Sequence, residues 1–106
     1  MRTFQTTNDV FIGQQATCCI GSDRYPYVVV KHTNSKKTIW LCELFASPTA
    51  NHDYYGRQEY TYHAASGEPK QIKATLRKDG RYRKVGARNY ETIWLGVAEK
   101  YIDPHF

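Results

Sequence analysis

Lys70-Gln71-Ile72-Lys73-Ala74-Thr75-Leu76-Arg77-Lys78-Asp79-Gly80-Arg81-Tyr82-Arg83-Lys84-Val85-Gly86-Ala87-Arg88 is the stretch that decides how this chain is read. From Lys70 to Lys78, Ile72, Ala74 and Leu76 share one side, and Lys73, Thr75 and Arg77 share the other. Period two marks a strand with one wet face. Asp79-Gly80 is a strong short-range signal for a tight hairpin turn. Arg81 to Gly86 returns as a second strand. Val85 falls with Arg81 and Arg83, and Tyr82 with Lys84, so alternation is imperfect and an exposed edge is expected. Eight residues of the stretch are cationic: Lys70, Lys73, Arg77, Lys78, Arg81, Arg83, Lys84 and Arg88. Asp79 is its only acid, so the hairpin would hold positive charge in a fixed array.

Working outward, the same logic yields more strands. Gln14 to Ile20 places Ala16, Cys18 and Ile20 opposite Thr17 and Cys19. Gly21-Ser22-Asp23-Arg24-Tyr25-Pro26 reads as a loop of turn formers, with Pro26 forcing Tyr25 to be extended. Tyr27 to Thr33 contains Val28-Val29-Val30, expected to be buried on both faces or to turn a barrel corner. After an Asn34-Ser35 turn, Lys36 to Leu44 alternates Ile39 and Leu41 against Trp40 and Cys42. Residues 46–57 have no apolar period and form a long connection, functional or mobile. Gln58 to His63 is a strand signal, Ser66-Gly67-Glu68-Pro69 a turn, and Glu91 to Val97 with Tyr101-Ile102 supply the last strands.

No segment sustains a helical period, and turn pairs recur about every ten residues. The expected architecture is all-β: a compact small barrel, SH3-like, of about six to eight short antiparallel strands with little helix. A chain of 106 residues makes one domain. A polar segment (1–9) precedes a single β domain (10–106). Nine Tyr residues and frequent β-branched residues agree with that class.

The net charge of +5 and pI near 9.2 suit a polyanionic or acidic partner. Outside the Lys70–Arg88 stretch the chain is slightly acidic. The start from Met1 to Asp9 is polar rather than a basic-then-apolar leader, and no apolar run approaches the roughly 20 residues of a membrane span. A cytoplasmic protein with reduced thiols is expected. Cys18 or Cys19, with Cys42, read as small core residues. There is no Cys-x-x-Cys, and His32, His52, His63 and His105 are scattered, so neither a metal site nor a cofactor is expected.

Three segments are candidate sites. In the hairpin, Lys73, Arg77, Lys78, Arg81, Arg83, Lys84 and Arg88 would hold phosphates, and Tyr82 would stack on an unpaired base. A charged edge strand that blocks sheet-to-sheet aggregation accounts for two or three cations, not for eight. A secondary contact surface is expected from Ser22 and Arg24 in one loop and Tyr54, Tyr55 and Arg57 in another, since Tyr and Arg dominate binding hot spots; Ser, Asp, Gly and Pro are also what a plain turn demands. His52 beside Asp53 invites an acid–base reading, but neighbours in sequence rarely aim at one centre. Trp40 and Trp94 sit in similar surroundings, Thr38-Ile39-Trp40-Leu41 and Thr92-Ile93-Trp94-Leu95, and one of them is a candidate to line a groove. No nucleotide-binding fingerprint or nucleophile elbow is present. The expectation is that the protein is not an enzyme.

Several motifs match a known group. Gly13-Gln14-Gln15-Ala16-Thr17, then Ser22-Asp23-Arg24-Tyr25-Pro26 before a Val-rich strand, resembles small proteins encoded by bacteriophages and prophages. Leu76-Arg77-Lys78-Asp79-Gly80-Arg81-Tyr82 and Tyr101-Ile102-Asp103-Pro104-His105-Phe106 match the same group. The resemblance covers most of the chain after residue 10. It implies a phage or prophage origin and the cytoplasm of a bacterial host. It brings no activity and no functional residues.

Two functions follow as expectations. The first is a non-catalytic binding module whose basic β-hairpin engages nucleic acid or a host nucleoprotein complex. The second, favoured by the resemblance, is a counter-defence inhibitor that binds an acidic host protein or sequesters a charged nucleotide signal.

Overall fold

Ile39 and Leu41, both fully buried, point to the inside of the protein, and between them Trp40 points outward. This alternation sets β3, the central strand, which the computed structural model places at Thr38–Pro48. The structure describes residues 10–64, 70–88 and 91–104. The expected polar segment at residues 1–9, the Ser66-Gly67-Glu68-Pro69 turn and the terminal His105-Phe106 lie outside the described residues.

Seven strands form: β1 Gln15–Ile20, β2 Asp23–His32, β3, β4 Tyr60–Ala64, β5 Gln71–Leu76, β6 Tyr82–Lys84 and β7 Glu91–Leu95. All pairings are antiparallel, in the order β6-β5-β3-β2-β1-β7, with β4 also on β3. There is no helix among the described residues. The expected small all-β barrel is what forms. Its wall is six strands, and β6 and β7 come together to close it.

The core is the shared inner face. Ala16 and Cys18 of β1, Tyr27 and Val29 of β2, Ile72 and Ala74 of β5, Tyr82 of β6, and Ile93 and Leu95 of β7 pack around Ile39 and Leu41. Truncating a side chain such as Leu41 to Ala would cost about 2–5 kcal/mol. Burial holds the Cys18 thiol protonated by pushing its pKa up to about 11. Cys19 is buried too, whereas Cys42 is half-buried on the outer face, its Sγ 3.7 Å from Gln71 Nε2. Cys42 therefore does not belong to the core, because it alternates in step with Trp40.

Several boundaries differ from the sequence reading. The expected loop 21–26 is mostly strand: Gly21 and Ser22 make the turn, and Asp23 already pairs with Ile20. Pro26 is tolerated mid-strand because Arg24, two residues earlier, turns its backbone away from β1 towards Tyr101. The N–H that proline lacks would point the same way, off the β1 ladder. Val29 of Val28-Val29-Val30 is buried and its neighbours are half-buried, and the β2–β3 register shifts between Val29 and Lys31, as at a bulge. The turn at Asp79-Gly80 holds three residues rather than two. Arg77 accepts from Gly80 N–H at 3.0 Å and donates to Arg81 at 2.8 Å, and Gly80 takes φ 83°, the left-handed conformation such loops place last.

β3 runs beyond the barrel. Its first half pairs with β5, and its second half, from Leu44, pairs with β4 as a projecting ribbon. This lengthens the molecule to 42 × 29 × 26 Å. Where β2 diverges from β3, residues 99–103 fill the gap: Arg24 and Tyr101 exchange backbone hydrogen bonds of 2.7 and 2.9 Å, and Asp103 N–H donates to Asp23 Oδ1 at 2.8 Å.

Candidate functional site

The register of the sheet assembles a basic outer face from residues far apart in sequence. Lys31 of β2 lies opposite Trp40 of β3, and Trp40 lies opposite Lys73 of β5. Lys31 Nζ stands 4.9 Å from the Trp40 ring centroid and Lys73 Nζ 5.8 Å from it. One step along, Thr38, Thr75 and Arg83 form the next row across β3, β5 and β6. At the end of this face, the β2–β3 turn with Lys36 and Lys37 meets the β5–β6 hairpin, joined by Leu76 N–H donating to the Lys37 carbonyl at 2.8 Å.

Residues 31–41 and 70–88 thus carry eleven of the fifteen Lys and Arg residues and one of the ten Asp and Glu residues. Lys31, Lys37, Lys70, Lys73, Arg77, Lys78, Arg81 and Arg88 are exposed. Asp79, the single acid, is engaged locally, its Oδ1 accepting the Arg81 N–H at 3.0 Å. An open cleft of about 300 Å³ lies between the hairpin and the connection that follows β6, lined by Arg77, Asp79, Arg83 and Ala87. The remaining residues carry more acids than bases.

The structure sorts the hairpin residues into two groups. Lys73, Arg77, Lys78, Arg81 and Arg88 stand exposed on or beside the basic face. Arg83 and Lys84 are half-buried and hold the barrel shut: Arg83 Nη2 donates to the carbonyls of Arg88 at 2.5 Å and Glu91 at 3.0 Å, and Lys84 Nζ sits 3.0 Å from Glu91 Oε2. The Lys84 ammonium holds the Glu91 carboxyl below the usual carboxylate range. Tyr82 is a correction. Its side chain is 2% exposed within the core, and its hydroxyl donates to the Lys36 carbonyl, so its ring has no face to offer a base. The aromatic residue that stands on this face is Trp40, and Lys31, Lys36 and Lys37 join it there. The sequence signal for these four was weak, because only strand register brings them beside the hairpin.

The secondary residues lie towards the other ends of these strands, at the start of β2 and after the end of β3. Arg24 Nη1 pairs with Glu99 Oε1 at 2.8 Å, and its guanidinium lies 4.8 Å from the Trp94 ring centroid. Ser22 is exposed in the two-residue turn. Tyr54 and Tyr55 meet edge to face at 5.1 Å, and Arg57 reaches Glu59 only at 3.9 Å. The loop between β3 and β4 is tied together internally. His52 Nδ1 accepts the Glu59 N–H at 3.0 Å, and Asp53 Oδ1 accepts the Tyr55 N–H at 3.1 Å. His52 Nδ1 and Asp53 Oδ1 are thus each engaged by a backbone N–H. Among the described residues no three His, Cys, Asp or Glu side chains gather as a metal-binding set, and no helix is long and apolar enough to cross a membrane.

Compared with known proteins, the chain matches no protein-family model, and no curated protein or solved structure is significantly similar to it.

Proposed function

We propose that this protein is a non-catalytic module that binds nucleic acid through the outer face of β2, β3, β5 and β6. One observation carries the reading: eleven cations against one carboxylate in the two segments that build that face. Edge protection needs a few charges on a strand rim. It does not call for cations on two turns and on β2, β5 and β6 together. A phosphate backbone does, since each neutralised phosphate releases condensed counterions. The catalytic alternative is weakened by His52 and Asp53, which are both held by backbone groups.

The test is a salt titration of binding to a labelled oligonucleotide. The logarithm of affinity should fall linearly with the logarithm of salt, by about 0.7–0.9 per phosphate contacted. Binding that stays flat from low to moderate salt would overturn the reading. Capture of an acidic host protein that survives nuclease treatment would replace it with the inhibitor reading.

A further inference from the structure

We infer that Trp40 is the stacking platform for an unpaired base, and that the ligand of the basic face is therefore single-stranded nucleic acid. The inference rests on the proposed function and narrows it. Trp40 alternates with the buried Ile39 and Leu41, so its indole must leave the barrel wall on the solvent side. It is half-buried and stands in the middle strand of the basic face, with cationic neighbours on both flanking strands. Lys31 and Lys73 lie two strand spacings apart, roughly 9.5 Å, with the indole between them.

The two ammonium groups rest against the ring at 4.9 and 5.8 Å. Both lysines are exposed. A cation–π contact in water is weaker than base–aromatic stacking. An arriving base therefore displaces a lysine from the ring, and the long, flexible lysine chain follows the phosphate beside that base. One movement exchanges a weak contact for a stack and an ion pair. A duplex cannot use this arrangement, because its bases are stacked on one another and show the barrel wall only their backbone. Stacking is tolerant of base identity, so little sequence preference is expected.

The experiment compares wild type, Trp40→Phe and Trp40→Leu against three probes: an oligothymidine of about 20 nucleotides, a duplex of equal length and inorganic polyphosphate. Wild type should bind oligothymidine more tightly than duplex. Trp40→Leu should weaken oligothymidine binding by roughly 5- to 150-fold, the range of one base stack, and leave polyphosphate binding unchanged. Trp40→Phe should restore most of the loss. Indole fluorescence gives a second readout that needs no Leu variant: oligothymidine should quench wild type more than Trp40→Phe, which retains Trp94, and polyphosphate should not. Equal binding of oligothymidine by wild type and Trp40→Leu, or duplex binding as tight as single-strand binding, overturns the stacking inference and leaves the basic-face reading standing. Failure to bind all three probes overturns both.

Discussion

Lys84 Nζ stands 3.0 Å from Glu91 Oε2 across the side of the barrel where no backbone ladder joins the strands among the described residues. The Lys84 side chain is 29% exposed and that of Glu91 is 12% exposed, so the pair is only partly screened by water. Among the described residues, this pair and Arg83 link β6 to β7 where no strand ladder does.

The Glu91 carboxyl is held below its ordinary value of 4.5, first by the hydrogen bond from Lys84. A carboxylate with a depressed folded pKa adds stability that is present above the ordinary value and fades as pH falls towards the depressed one. Glu91→Gln should lower the melting temperature at neutral pH, and the gap to wild type should shrink at an acid pH well below 4.5. A gap of constant size at both pH values would mean that the pair does not hold the closure.

Arg83 and Arg77 are neighbours on the same hairpin with different work. Arg83→Ala removes two charge-assisted bonds to backbone carbonyls and should destabilise by about 1.5–3 kcal/mol. Arg77→Ala, on an exposed position, should stay within about 0.5 kcal/mol. Arg83→Lys should not rescue, since one ammonium does not reproduce a planar fork. Urea unfolding of the three variants checks this, and equal midpoints for both alanine variants would reject it.

Charge and fold should separate at the hairpin tip. Arg77→Glu with Lys78→Glu reverses two exposed charges beside Asp79. Each change should cost under about 0.5 kcal/mol of stability. Oligonucleotide affinity at low salt should nevertheless fall by at least about tenfold, or about 1.4 kcal/mol, because phosphates that reach the tip are no longer neutralised there. Normal binding by a well-folded double variant would move the interface away from the tip.

The fold was legible wherever a strand keeps one face wet, as in Lys70 to Lys78 and around Ile39 and Leu41. Those stretches carry their burial in their own period. It was less legible where tertiary contacts decide. Asp23 to Pro26 has the composition of a turn, yet β1 and Tyr101 engage it as strand. Residues 49–57 have no period because side chains such as Thr49, whose hydroxyl donates to Glu59 Oε1, and His52, which accepts the Glu59 N–H, do the organising. The site was half legible: cations dense in sequence showed, whereas Lys31, Trp40 and Lys73 become one feature only through register. Tyr82 misled because an aromatic within a basic run looks like a stacking residue, and only its pairing with Leu76 reveals which way it faces.

Tyr82 therefore gives the sharpest contrast with Trp40. Its ring fills the core between β5 and the closing strand, and its hydroxyl anchors the Lys36 carbonyl of the β2–β3 turn. Tyr82→Phe keeps the ring and leaves that carbonyl without its partner, which should cost about 1–3 kcal/mol if water does not replace it. Tyr82→Ala should cost more, about 3–5 kcal/mol, through the cavity it leaves. Neither effect passes through the ligand. At a temperature where both variants are fully folded, the affinity of Tyr82→Phe for oligothymidine should equal that of wild type, whereas Trp40→Leu should lose binding. Melting curves and fluorescence anisotropy on the same samples separate the two roles. Weakened binding by folded Tyr82→Phe, with no change in Trp40→Leu, would return the stacking role to Tyr82 and require the closing strand to open when ligand binds.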